Sequence, residues 1–275
     1  MEKRTYSGKT ILGLVLLALI VVLVAGAPLF SGYAPDEGNS SELLQGFSLD
    51  HPFGTDRFGR DILSRTLYGG RMTLLASFAA LGMVVVIGVQ LGILTGLRSR
   101  SIFDTILMRI VDVLMAFPFI VFAMVIAALW GSSLTNLLVA VITVWWVPFA
   151  RLARSIVLQI KNEPSVLAAR VLGASDRRIV FCELLPKTIG SVLVLSTFEL
   201  GTLILSISAL SFLGMGAQPP TPEWGSMLSD ARAHFFQYPH VLFGPSLFIV
   251  LTVLALNLIG EGLRDMLDPY EVIRL

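Results

Sequence analysis

A single cysteine, Cys182, rules out an internal disulfide, and only three histidines, His51, His234 and His240, are spread over 275 residues. No cysteine and histidine group has the spacing of a metal site. The three histidines fall in polar stretches outside the apolar runs. A membrane-embedded hydrolase needs a nucleophile, a base and an orienting group together, and finds no such constellation here. Phosphate loops are lacking as well: in Gly8-Lys9-Thr10 the earlier glycine position falls on Lys3, and an apolar run follows. Gly214 and Gly216 begin a nucleotide fingerprint, but Pro219 stands at its third glycine and no strand precedes it. Charged residues make up only 14% of the chain and the net charge is +1, so no basic excess points to nucleic acid.

What the chain has instead is apolar sequence. Hydrophobic residues reach 55% and the mean hydropathy is +0.81, with several runs near the roughly 20 residues needed to cross a bilayer. The expected fold class is an all-α polytopic membrane protein with six transmembrane helices, at about 11–27, 72–97, 103–130, 134–156, 188–212 and 241–258. Ala25-Gly26-Ala27 also suits a signal-cleavage site, but Pro28 follows it directly, and the first run is read as a retained span.

Within these spans a few residues stand out. Gly88, Gly92 and Gly96 share one helical face and permit close approach of a partner helix that the sequence does not identify. Arg109 and Asp112, three apart, form a candidate structural ion pair near the membrane edge, and Pro118 should kink the same helix. Glu199 sits near the middle of the fifth span, where an ionisable group costs about 2.5 to 3.5 kcal/mol on insertion scales and therefore faces protein or water. It either faces a watery path through the protein or is a buried carboxyl bonded to a neighbouring helix.

The most basic loop, residues 161–187, reads as two short helices joined at a glycine. Pro164 suits a first helical position, Gly173 the left-handed residue past a helix end, and Ser175 or Asp176 the cap of the next helix. The first piece is about 13 Å long, too short to span a membrane. Its apolar residues, with Arg170, Arg177 and Arg178 nearby, make a surface suited to docking on another protein. With the amino terminus inside, only Arg57, Arg60, Arg65, Arg71 and Arg232 of the 20 basic residues lie outside, as the positive-inside rule expects.

Four stretches carry a family resemblance: Ala168-Ala169 with Gly173 and then Leu185-Pro186; Gly54-Thr55-Asp56-Arg57-Phe58-Gly59-Arg60-Asp61; Met108-Arg109 with Asp112 and Phe117-Pro118; and the run from Leu210 through Pro219-Pro220 to Glu223-Trp224-Gly225. The ending Gly260-Glu261-Gly262-Leu263-Arg264-Asp265, with Asp268-Pro269, agrees with them, and Arg264 and Asp268 are an i,i+4 pair. Together they resemble the transmembrane permeases of binding-protein-dependent ABC importers, in the C-type subunits of the dipeptide, oligopeptide and nickel branch.

That resemblance implies a type I importer permease fold with a cytoplasmic coupling helix that sits in a groove of the ATPase. Carried onto this chain, the coupling residues are Pro164, Ser165, Val166, Leu167, Ala168, Ala169, Arg170, Gly173, Ala174 and Ser175, with Leu167 where the family has glutamate. The implied partners are a homologous second permease, two cytoplasmic ATPase subunits that hold ATP and Mg, an external substrate-binding protein and the lipid bilayer. The chain itself is expected to be no enzyme and to need no cofactor. Its expected place is a bacterial or archaeal inner membrane with both termini in the cytoplasm.

Residues 1–71 are read as a first span with an external segment, and 72–275 as the core permease. The cargo classes are peptides and nickel or metal chelates; Leu167 and Glu199 incline the resemblance toward nickel. An ion-gradient-driven secondary transporter using Glu199 is the alternative, but the inverted repeats and further intramembrane polar residues it needs are not visible. The 54–61 segment also fits an interfacial helix sealing the protein against the membrane. Three prolines at 219, 220 and 222 forbid helix there, and Trp224 is expected to anchor the next piece at the interface.

Overall fold

The computed structural model describes residues 8–267; Lys3, Arg4, Arg274 and the closing Asp268-Pro269, with its Arg264 pairing, lie outside the described residues. Helix α1 (Gly8–Ala25) is apolar almost throughout, and one further turn, α2 (Ala27–Phe30), takes Pro28 at its start. A largely irregular segment follows to Asp61, whose carboxylate accepts the Ser64 N–H at 2.6 Å and so caps α3 (Ile62–Leu97). At 36 residues α3 is about 54 Å long. It begins before the expected Met72, so the division drawn at residue 71 falls inside a continuous helix.

Helix α4 (Ile102–Ala116) is capped by Ser101. The expected kink at Pro118 is a full break: α4 stops at Ala116 and α5 (Phe119–Trp130) leaves at 91° to it. Proline disfavours helical backbone at the residue before it, and Phe117 is accordingly extended, with ψ 134°. Helices α6 (Leu134–Trp145) and α7 (Val147–Ile160) form the next crossing with a joint at Trp146, where Pro148 lies in the first turn of α7.

After α8 (Pro164–Val171), helix α9 (Asp176–Ile179) runs through a π-helical stretch, Val180–Leu184, into α10 (Leu185–Phe212). The short α11 (Trp224–Ala231) and a 3-10 turn at Pro239–Leu242 lead to α12 (Phe243–Leu267). Among the described residues five stretches are long and apolar enough to cross a membrane, and the bent α4–α5 pair, counted as one broken span, brings the number to six.

The partner of the glycine face on α3 is α7, running parallel to it. A side chain on Gly88 would meet Phe149 Cβ at 2.6 Å, one on Gly92 Ala153 Cβ at 2.7 Å, and one on Gly96 Val157 Cγ1 at 2.6 Å. Phe149, Ala150, Ala153 and Val157 are completely buried in this seam. Helix α1 lies antiparallel along α12, with Gly13 against Ala255 and Leu258 and Lys9 3.3 Å from Glu261. The second core joins α1, α3, α10 and α12 around Trp224 and Phe248.

This arrangement gives the molecule two different ends. One gathers the start of α1, α4 and α8–α10 with the ends of α3, α7 and α12. The other gathers residues 31–61, α11 and the starts of α3 and α12. Trp224 is a correction to the sequence reading: it is wholly buried, with Nε1 donating to Thr66 O at 2.8 Å and its ring packed over Gly70. An indole whose N–H is satisfied inside the protein has no need of the interface.

Candidate docking loop and intramembrane site

At the basic end, local chemistry builds the loop as the sequence predicts. Pro164 opens α8, Leu172 N–H returns to Ala168 O at 3.0 Å, and Gly173 takes φ +80° while Ala174 N–H reaches Ala169 O at 2.9 Å. Of the two candidate caps it is Ser175 that serves, accepting from Arg178 N at 3.4 Å. Two apolar side chains turn inward, Val166 and Ile179, and both belong to the α3–α7 core cluster. Lys187 Nζ reaches Glu163 Oε2 at 2.5 Å and Ser165 Oγ at 3.2 Å, fastening the start of α8 to α10.

The opposite face of the loop is bare. Val171 is 87% and Leu172 86% exposed, and Leu167 and Phe181 are also open. A hollow of about 380 Å³ beside them is lined by Ala169, Leu172, Gly173, Ala174, Arg178 and Cys182. The loop is thus a rigid apolar knob, held by two buried side chains and a lysine strut.

Above the loop, Asp112 Oδ1 lies 2.6 Å from Arg151 Nη2, while Arg109 Nη1 is 3.8 Å from Asp112 Oδ2. The closer partner of Asp112 is therefore on α7, a non-local contact that spacing along one helix does not reveal. A second pair, Asp104 with Arg154, joins α4 to α7 by two hydrogen bonds. Near the middle of α10, Glu199 Oε2 accepts from Trp145 Nε1 at 2.7 Å, and the Trp145 ring stands edge-on to Phe119 with centroids 4.8 Å apart.

The far end is closed by a polar knot in place of an interfacial helix. Asp56 accepts the N–H groups of Phe58 and Arg60 and pairs with Arg60 Nε at 2.6 Å. Arg65 Nη1 donates to Pro35 O at 2.7 Å, and His51 Nδ1 lies 2.9 Å from the buried Asp61. Gly54 at φ +75° and Gly59 at φ +70° provide the turns that fold these charges together.

Glu223 is equally buried. It caps α11 by accepting from Gly225 N at 2.8 Å and Ser226 N at 2.9 Å, and Thr73 Oγ1 donates to it at 3.2 Å. Burial outweighs these hydrogen bonds and pushes its carboxyl above the usual glutamate range. The paired glycine and aspartate positions of 54–61 were the available signal for this knot; its partners on other elements had none.

A six-crossing helical bundle with a closed polar cap at one end and a protruding apolar knob at the other is the architecture of a transporter's membrane subunit. The chain belongs to the family of binding-protein-dependent transport system inner membrane components, whose profile matches residues 88–270. It is 42% identical over 259 residues to the dipeptide transport system permease protein DppC of Alkalihalophilus pseudofirmus, covering 94% of this chain and 85% of that protein. It is 45% identical over 261 residues to the glutathione transport system permease protein GsiD of Escherichia coli O157:H7, covering 92% and 84% respectively.

Among solved structures, an amino acid ABC transporter matches with TM-score 0.55 at 18% identity over 73% of this chain and 94% of that one. The MetNI methionine ABC transporter in inward-facing conformations matches with TM-score 0.54 at 21% identity over 74% and 96%. The chain is thus a non-catalytic permease subunit of an ABC importer, with the fold of that class.

Proposed function

We propose that this permease carries small peptides inward. In this reading it shares its path with a homologous second permease, receives cargo from an external binding protein, and is driven by two cytoplasmic ATPase subunits that hold ATP and its Mg²⁺. The relatives named for dipeptides and for glutathione, themselves alike in being short peptides, support the cargo class.

The observation that carries the coupling role is the bare knob of α8, apolar on its outer face and pinned within the chain by Val166, Ile179 and Lys187. A rigid lever with an exposed apolar tip transmits a push from a partner without absorbing it. Residues Pro164 to Arg170 and Gly173 to Ser175 form that lever, and rocking of the spans follows its displacement. Basic side chains crowd the same end, among them Arg98, Arg100, Lys161, Arg170, Arg177 and Arg178, which by the positive-inside rule supports a cytoplasmic place for that end.

The deciding experiment is uptake by the assembled transporter in proteoliposomes supplied with its binding protein and ATP, comparing a labelled dipeptide with radioactive Ni²⁺. ATP-dependent dipeptide uptake supports the reading. Nickel uptake alone, or uptake that persists without ATPase subunits and follows an ion gradient, overturns it.

A further inference from the structure

Non-helical backbone and charge are both costly at membrane depth, and persist only where they face protein or water. Two such features meet in one place here. The α4–α5 break at Phe117-Pro118 leaves the last carbonyls of α4 without helical partners. Glu199 is linked to it through Trp145, whose ring touches Phe119 just past the break and whose N–H donates to the carboxylate.

The carboxylate is incompletely used. Trp145 bonds Oε2 at 2.7 Å, and among the described residues nothing else bonds or pairs with Glu199. On the same face of α10 the Thr202 hydroxyl donates back to Phe198 O at 3.1 Å, so it needs no outside partner. Glu199 Oε1 is left without a partner among the described residues on a half-buried face, and a carboxyl at this depth persists where it faces water or protein. In the reading of a path shared with a second permease, this face borders that path.

We propose that Glu199 is the intramembrane counter-charge for the cationic group of the cargo, the ammonium of a free-amine peptide. Trp145 aims the carboxylate, and its indole with the Phe119 ring forms an aromatic wall against which a desolvated ammonium gains further electrostatic attraction. Trp145 is a positioning residue, acting through the carboxylate it orients. This inference rests on the peptide reading of the cargo.

The test uses the complete transporter in proteoliposomes with its binding protein, ATP and labelled dialanine, comparing wild type, Glu199→Gln, Glu199→Asp and Trp145→Phe. Glu199→Gln should lower the uptake rate per assembled complex by about tenfold or more, the scale of one lost charge-assisted contact. Glu199→Asp should recover part of that loss, and Trp145→Phe should fall between. Assembly, read from the yield of intact complex, should be unchanged in at least Glu199→Asp and Trp145→Phe.

Wild-type uptake retained in Glu199→Gln overturns the inference alone, as does a loss of uptake that matches a loss of complex in every variant. Absence of dialanine uptake by the wild type overturns the peptide reading and this inference with it.

Discussion

Arg154 grips Asp104 with two parallel hydrogen bonds, Nε to Oδ1 at 2.7 Å and Nη2 to Oδ2 at 2.9 Å. The carboxylate is almost completely buried and also accepts the Arg100 N–H at 3.0 Å. This clamp fixes the start of α4 against α7 at the basic end, close to where Lys161 Nζ binds Gly96 O at 3.2 Å. Arg154→Ala strands the carboxylate. Because the arginine is itself partly exposed, the cost should fall below that of a fully buried pair, at about 2 kcal/mol. A lower melting temperature of the detergent-purified complex measures it. Adding Asp104→Asn should restore part of the loss, and strict additivity of the two changes would show that the pair is not coupled.

The α3–α7 seam predicts a contrast between two glycines of one helix. Gly92→Ala drives a methyl into Ala153 Cβ, 2.7 Å away, and still closer to Ala150 O, where backbone cannot yield. The expected penalty is about 1–3 kcal/mol. At Gly82 nothing lies within 4 Å, and alanine there should be neutral or slightly stabilising through its better helix propensity. Equal melting temperatures for the two variants would refute the seam.

Glu223 predicts a pH dependence with a definite sign. Its carboxyl is raised, so the folded state holds the proton more tightly than the unfolded chain does. Its contribution to stability is greatest at acid pH, declines as pH rises from the ordinary glutamate value to the raised one, and is flat above that. Glu223→Gln should remove this decline while losing one of the two capping bonds at α11, since an amide nitrogen cannot accept from a backbone N–H. Melting curves of both proteins from mildly acidic to neutral pH test it, and identical slopes would count against burial as the controlling effect.

Sequence foretold the parts of this fold that local chemistry decides. Pro164, Gly173 and Ser175 mark helix starts and stops through their own backbone preferences, and the apolar runs mark the crossings. Other features depend on residues distant in the chain. Gly88, Gly92 and Gly96 announce a close contact, yet only the fold shows that α7 makes it. Pro118 announces an interruption, while its 91° angle is visible only in the fold. Arg109 stands three residues from Asp112, but Arg151 comes closer, and the indole partner of Glu199 lies 54 residues away. The polar knot around Asp56 was hidden for the same reason: its charges balance only once residues 31–61 fold onto α3 and α11.

Cys182 makes the knob testable without engineering a label. It is exposed, and it shares the hollow beside α8 with Ala169, Leu172 and Gly173. A membrane-impermeant maleimide should modify it in inside-out vesicles stripped of ATPase subunits, and fail to do so in sealed right-side-out vesicles. Rebinding the ATPase should slow the reaction, because a partner seated on Val171 and Leu172 covers the hollow. Leu172→Asp should leave the fold intact, since that side chain is 86% exposed, while placing a carboxylate in an apolar contact. Cargo-stimulated ATP hydrolysis should then fall by about tenfold or more, with the melting temperature of the isolated permease unchanged. Full stimulation in Leu172→Asp, or labelling of Cys182 from the outside, would remove the knob from its role as the lever between ATP hydrolysis and the membrane helices.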